Sequence, residues 1–135
     1  MIYKLTACIG KSTYKTEISN DRYLLIADEP ESMGGKDLGF APFELFLSSL
    51  AACKAMTMRM YADRKEWHLE MINMDLNLEV QLSHQQQTTF INVNIELIGD
   101  LNEEQKQRIL AIADKCPIHK LMQHPIVINS NLVNK

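Results

Sequence analysis

Cys8, Cys53 and Cys116 are the residues of this chain best equipped for chemistry. A thiolate is a nucleophile and a redox centre, whereas an unactivated thiol is only a small hydrophobe, so the surroundings of each cysteine decide its part. Cys8 falls in a strand-like segment with no charged company, which points to packing. Cys53 lies in SSLAACKAMTMRMYADRKEW, an almost wholly apolar run that reads as a helix. Helical spacing puts Phe46, Ser49, Leu50, Met56, Thr57 and Met60 on its face, a setting that suits a thiol lining an apolar pocket and one filling a core alike. Cys116 stands directly before Pro117, where a new helix can begin. Unpaired N–H groups at a helix start, with Lys115, His119 and Lys120 close by, predict a stabilised thiolate there. The same position also suits a cysteine at a helix junction with no chemical role.

Other chemistries lack a foothold. Cys116-x-x-His119 could supply two metal ligands, but zinc needs three or four, and neither CxxC nor HxxxH occurs, so no metal is expected. His68 and His84 read as surface histidines, and His124 before Pro125 is uninformative. GxSxG, GxxxxGK[ST] and GxGxxG are absent, which removes the usual signs of serine hydrolysis and of nucleotide or dinucleotide binding, and no cofactor is expected. A net charge of −3 offers no basic field for nucleic acid. The longest apolar stretch, Leu45 to Tyr61, is interrupted by Lys54 and Arg59, which argues against a membrane span. MIYKLTACIGKSTYK lacks the apolar centre and cleavage site of a secretory signal, so a cytoplasmic location is expected, with reduced thiols and no disulfide framework.

The elements that must position these thiols follow from pattern. With 46% hydrophobic and 23% charged residues and no repeat or linker, residues 1–135 read as one packed domain. Ile2–Ile9, Thr13–Ile18 and Tyr23–Ala27, separated by turn compositions, predict a small antiparallel meander. ADEPESMGGKDLGFAP is a loop. Pro42 suits a first helical turn, and nothing breaks the pattern from Phe43 to about Lys65, a rod of roughly 35 Å. Its apolar residues cover nearly all sides, and a domain this small can hardly wrap such a helix alone, so burial against a second copy of the chain is expected. Ile72 to Leu82 and Ile91 to Leu97 alternate with polar residues, predicting two long strands joined through SHQQQT. Asn102 is placed to cap a helix from Glu103, with Gln105 at the capping-box position, and that helix should end at Cys116. PIHKLM offers a short helix, and IVINSNLV a last strand.

Two segments together resemble a known family. GGKDLGFAPFELFLSSLAACKAMTMRMYADRKEW, followed by LNEEQKQRILAIADKCPIHKLM, is similar to the OsmC/Ohr family of osmotically induced and organic-hydroperoxide-resistance proteins, nearest to the branch carrying R-M-Y-A-x-R-K. The resemblance implies an α+β fold with antiparallel sheets around a long central helix, in an intertwined homodimer. It implies that Cys53 is the peroxidatic and Cys116 the resolving cysteine, with an external dithiol, lipoyl-protein in some relatives, restoring both thiols. Relatives hold an activating arginine with a glutamate directly after the helix-starting proline. Here that place is Phe43, and Glu44 stands nine residues before Cys53, on the opposite side of a straight helix. The arginine's turn reads Gly10-Lys11-Ser12, with Arg22 one strand later. Glu44, Lys11 and Arg22 are therefore the candidate activators.

The function expected is a thiol-dependent peroxidase of organic hydroperoxides, working through Cys53 and Cys116. Two alternatives stand beside it: the same thiols handling persulfides or other electrophiles, and a non-catalytic dimer binding an apolar metabolite beside Cys53.

Overall fold

A computed structural model describes residues 1–134 and divides the chain into two compact units, Met1–Ser48 and the remainder from Ser49. In the first unit, β1 (Thr6–Ile9), β2 (Thr16–Ser19) and β3 (Leu24–Ala27) form the antiparallel meander anticipated from their Tyr, Ile, Thr and Leu content. The strands are shorter than the apolar segments that announce them, and Ile2 to Leu5 are exposed and unpaired in the ladder.

The loop after β3 owes its shape to one buried carboxylate. Asp28 is only 2% exposed. Its Oδ1 accepts the backbone N–H groups of Tyr14 at 3.0 Å and Glu29 at 2.8 Å, and its Oδ2 those of Lys36 and Leu38, each at 3.3 Å. Burial by itself would push this carboxyl up, but the four N–H donors outweigh it and hold it below its ordinary value. Gly35 permits the fold-back, since a Cβ there would lie 2.0 Å from the Glu29 carbonyl oxygen.

Helix α1 (Pro42–Arg64) runs unbroken for 23 residues. Proline opens it, as the missing N–H and fixed φ require, and the Glu44 carboxylate accepts the Ala41 N–H at 2.9 Å. From Ser49 onward the helix buries Leu50, Lys54, Met58, Tyr61 and Ala62, a single stripe at helical spacing. Met56 and Met60 face outward, 58% and 66% exposed. Within one chain the helix is thus covered along one side rather than on most faces.

In the second unit, β4 (His68–Ser83) and β5 (Gln86–Asp100) form one long antiparallel hairpin. Alternation writes most of both strands, with a register shift between Leu69 and Met71, and their apolar positions Ile72, Met74, Ile95 and Leu97 pack on the core of Met58, Tyr61, Ala62, Leu69, Ile109 and Ala113. The connection is tighter than SHQQQT suggests. Only His84 and Gln85 turn, both at positive φ, while Gln86, Gln87 and Thr88 pair in the ladder. That is the geometry a two-residue hairpin demands, adopted here without the usual Asn-Gly.

Helix α2 (Glu103–Ala113) starts on the anticipated capping box: the Asn102 side chain accepts the Gln105 N–H, and the Gln105 side chain accepts the Asn102 N–H. It ends at Ala113 rather than Cys116, because Asp114 and Lys115 turn the chain towards α3 (Pro117–Met122). The strand expected at IVINSNLV is not one. Residues 126–133 are exposed and pair with no strand, since apolar composition makes a strand only where a neighbouring edge can pair with it.

The depressed Asp28 carboxyl contributes stability that is fully present above the ordinary carboxylate value, about pH 4, and lost as pH falls through the lower folded value. Thermal melts of Asp28→Asn should show a lower Tm at pH 7 and a flatter decline on acidification than the parent. Superimposable acid limbs would refute the role assigned to this carboxylate.

Candidate active site

Cys53 and Cys116 occupy different elements of the second unit, and the fold brings them together. Cys53 sits in the middle of α1, half-buried; Cys116 caps α3 and is fully buried. Their side chains lie within hydrogen-bonding reach of each other. Both remain free thiols. Cys8, on β1 of the first unit, is exposed.

The N-cap position explains how Cys116 is aimed. Pro117 supplies the first residue of α3, and the Cys116 Sγ accepts the His119 N–H at 3.2 Å, the bond a capping side chain makes. The Cys116 N–H itself closes on the Ala113 carbonyl at 3.4 Å. The sulfur is thereby fixed from both ends of a short corner.

Its protonation departs from expectation. A helix start beside basic residues predicted a stabilised thiolate, yet the Cys116 thiol is pushed above its ordinary value. Burial is the largest cause, and the Cys53 side chain adds to it, while the His119 N–H and the Lys54 charge pull the other way. Complete removal from water outweighs one N–H donor and one neighbouring cation. Lys115 and Lys120, counted as sources of positive potential, point into solvent.

A polar cluster that the sequence did not announce abuts the pair. Lys54, next in sequence to Cys53, is 3% exposed. Its Nζ lies 3.1 Å from the Ala113 carbonyl, 3.2 Å from Asp114 Oδ1 and 2.9 Å from His119 Nδ1. With the ammonium donating to Nδ1, the ring proton of His119 belongs on Nε2. The only signal of this cluster in the sequence was a lysine inside an apolar helix, with i, i+4 spacing from buried Leu50 and Met58. Lys54, Asp114 and His119 also line a cleft of about 530 Å³, together with the apolar Leu50, Ile91 and Val93.

The candidate activators belong to the first unit, before Ser49. Glu44 is engaged at the start of α1 as described. Lys11 is exposed in the turn between β1 and β2. Arg22 occupies the turn between β2 and β3, where its guanidinium carbon lies 5.4 Å from the centre of the Tyr23 ring.

The family model described as OsmC-like protein matches residues 34–131. The chain belongs to the OsmC family. No curated protein matches it in sequence. Among solved structures it is similar to an OsmC-like protein from Mycoplasma pneumoniae, with 23% identity, coverage of 91% of this chain and 88% of that one, and a TM-score of 0.76. An organic hydroperoxide resistance protein OsmC from Legionella pneumophila has 21% identity, 91% coverage of each chain and a TM-score of 0.69. The organic hydroperoxide resistance protein OhrB of Bacillus subtilis has 18% identity, 91% coverage of each and a TM-score of 0.64. At these identities the likeness establishes the OsmC-like fold, a mixed α+β architecture with antiparallel sheets. No helix among the described residues is long and apolar enough to cross a membrane.

Exposure orders the reactivity of this OsmC-family chain's thiols. Under native alkylation with iodoacetamide, followed by peptide mapping, Cys8 should label first and Cys53 more slowly. Cys116 should come last, roughly tenfold or more behind Cys8. Early labelling of Cys116 would contradict its burial.

Proposed function

We propose that this chain is a thiol-dependent peroxidase of organic hydroperoxides, acting as a cytoplasmic homodimer in which the whole chain serves as one domain. The observation that carries the reading is the contact between a half-buried Cys53 and a fully buried Cys116, in a chain of the OsmC family. Solved relatives named as organic hydroperoxide resistance proteins support the substrate class.

In this reading the Cys53 thiolate attacks the distal oxygen of the hydroperoxide. The S–O bond forms as the O–O bond breaks, and the departing alkoxide takes a proton from water to leave as an alcohol. Cys53 is then a sulfenic acid. Cys116 attacks its sulfur, a disulfide forms, and the hydroxyl leaves with the Cys116 proton as water. An external dithiol, a lipoyl-bearing protein by family resemblance, returns both thiols by exchange. The division of exposure suits the division of labour: the accessible sulfur meets the peroxide, and the buried one waits until its partner has been oxidised. Leu50 and Met56, at helical spacing from Cys53, favour an organic over an inorganic peroxide.

Support for the dimer comes from α1. Met56 and Met60 stand one turn apart on its outward side, and Met71 on β4 is 53% exposed, a concentration of large apolar side chains that a second copy would cover.

Two measurements test this. In a Cys8→Ser background, one equivalent of cumene hydroperoxide should remove both remaining thiols within minutes, and Cys53→Ser should abolish the loss. Full retention of thiols over an hour would sink the peroxidase. In light-scattering chromatography the parent should have a dimer's mass and the double variant Met56→Glu/Met60→Glu a monomer's; a monomeric parent would remove the dimer.

A further inference from the structure

We infer that Lys54 is the positioning residue of the resolving step: it ties the corner carrying Cys116 to the helix carrying Cys53, and so holds the second sulfur where the oxidised first one needs it. The inference rests on the proposed redox role of the two thiols.

An ammonium has three N–H donors, and Lys54 finds an acceptor for each: the Ala113 carbonyl at the end of α2, the Asp114 carboxylate in the turn, and the His119 ring on α3. Those groups bracket Cys116. The carbonyl held by Lys54 also receives the Cys116 N–H, and the residue whose ring is held by Lys54 donates its own N–H to the Cys116 sulfur. Cys116 is thus fixed on either side by groups that Lys54 fixes. Because Lys54 follows Cys53 directly in α1, the same stretch of backbone carries both the oxidised sulfur and the tether of its partner.

A tether of this kind has work to do only in the second step. Disulfide formation requires the Cys116 sulfur to approach the sulfenyl sulfur of Cys53 along the axis of the breaking S–O bond, with little tolerance in the resulting dihedral. The S–S bond forms, the S–O bond breaks, and the Cys116 proton departs with the hydroxyl as water; the oxidising equivalents come from the hydroperoxide. Such steps gain their speed from alignment, and a displacement of about 1 Å costs ~10²-fold. An apolar side chain at position 54 would fill the same space while leaving the corner untied. It would also avoid burying a charge, so packing alone gives no reason for a lysine here.

The test reads how the sulfenic acid partitions, a ratio that does not depend on how fast it forms. In the Cys8→Ser background, protein is treated with one equivalent of cumene hydroperoxide in the presence of dimedone, and the Cys53 adduct and the Cys53–Cys116 disulfide are quantified by mass spectrometry. The parent should give almost only disulfide. Lys54→Met should raise the adduct-to-disulfide ratio at least tenfold, and excess peroxide should then drive Cys53 to sulfinic acid. Asp114 is 73% exposed in its side chain, so changes there test the same tether without threatening the fold. Asp114→Asn, which keeps an acceptor oxygen, should retain the parent's ratio, and Asp114→Leu should shift it in the direction of Lys54→Met. If Lys54→Met fails to fold, the Asp114 pair decides. Unchanged ratios in Lys54→Met and Asp114→Leu would overturn the positioning role and leave the redox pair standing. A parent that forms neither adduct nor disulfide would overturn the redox reading, and this role with it.

Discussion

A buried ammonium must find an acceptor for every N–H it carries, and in this chain that requirement governs how the helices of the second unit meet. Lys54 is 3% exposed, and its three partners come from the last residue of α2, from the turn after it and from α3. An apolar contact would tolerate sliding, because dispersion has no direction. Three hydrogen bonds from one nitrogen do not, since each constrains a different part of the corner. The sulfur of Cys116 inherits that rigidity through the Ala113 carbonyl and the His119 N–H.

Dryness at the same corner shapes its chemistry. Removing Cys116 from water raises its thiol pKa, with the nearby Lys54 charge and the His119 N–H only partly opposing the effect. A thiol that keeps its proton is a poor nucleophile and a poor target for small oxidants, and both properties suit a group that should react only with an oxidised neighbour. Cys53, half-buried on the same helix as the lysine, is the more accessible of the two. In the proposed cycle the two sulfurs therefore differ through burial rather than through separate charged partners.

Much of this was legible in the sequence where one local rule decides the outcome. Pro42 and Pro117 each begin a helix, Asn102 and Gln105 form the reciprocal cap, and alternation marks β4 and β5. What was not legible depends on tertiary environment. The sign of the Cys116 shift could not be read from its neighbours along the chain, because the deciding quantity is burial by residues distant in sequence. Lys54 looked like a charge interrupting an apolar run, and only the approach of α2 and α3 makes it a structural centre. Asp28 gave no sign of gathering four backbone N–H groups, since its donors range from Tyr14 to Leu38. Residues 126–133 carry the composition of a strand, but pairing is a property of two segments and composition describes one.

The three solved structures compared above share about a fifth of their residues with this chain and still superimpose over nine-tenths of it. In this chain the fold rests on pattern: a long helix opened by proline, a largely alternating hairpin, and a capped helix leading into a Cys-Pro corner. Pattern of this kind does not by itself fix how the second cysteine is held. In this one the task falls to a lysine beside the first cysteine. The first unit shows the same economy at Asp28, where a single carboxylate organises a whole loop through backbone N–H groups. In both places one buried charged group gathers several hydrogen bonds and fixes the chain around it.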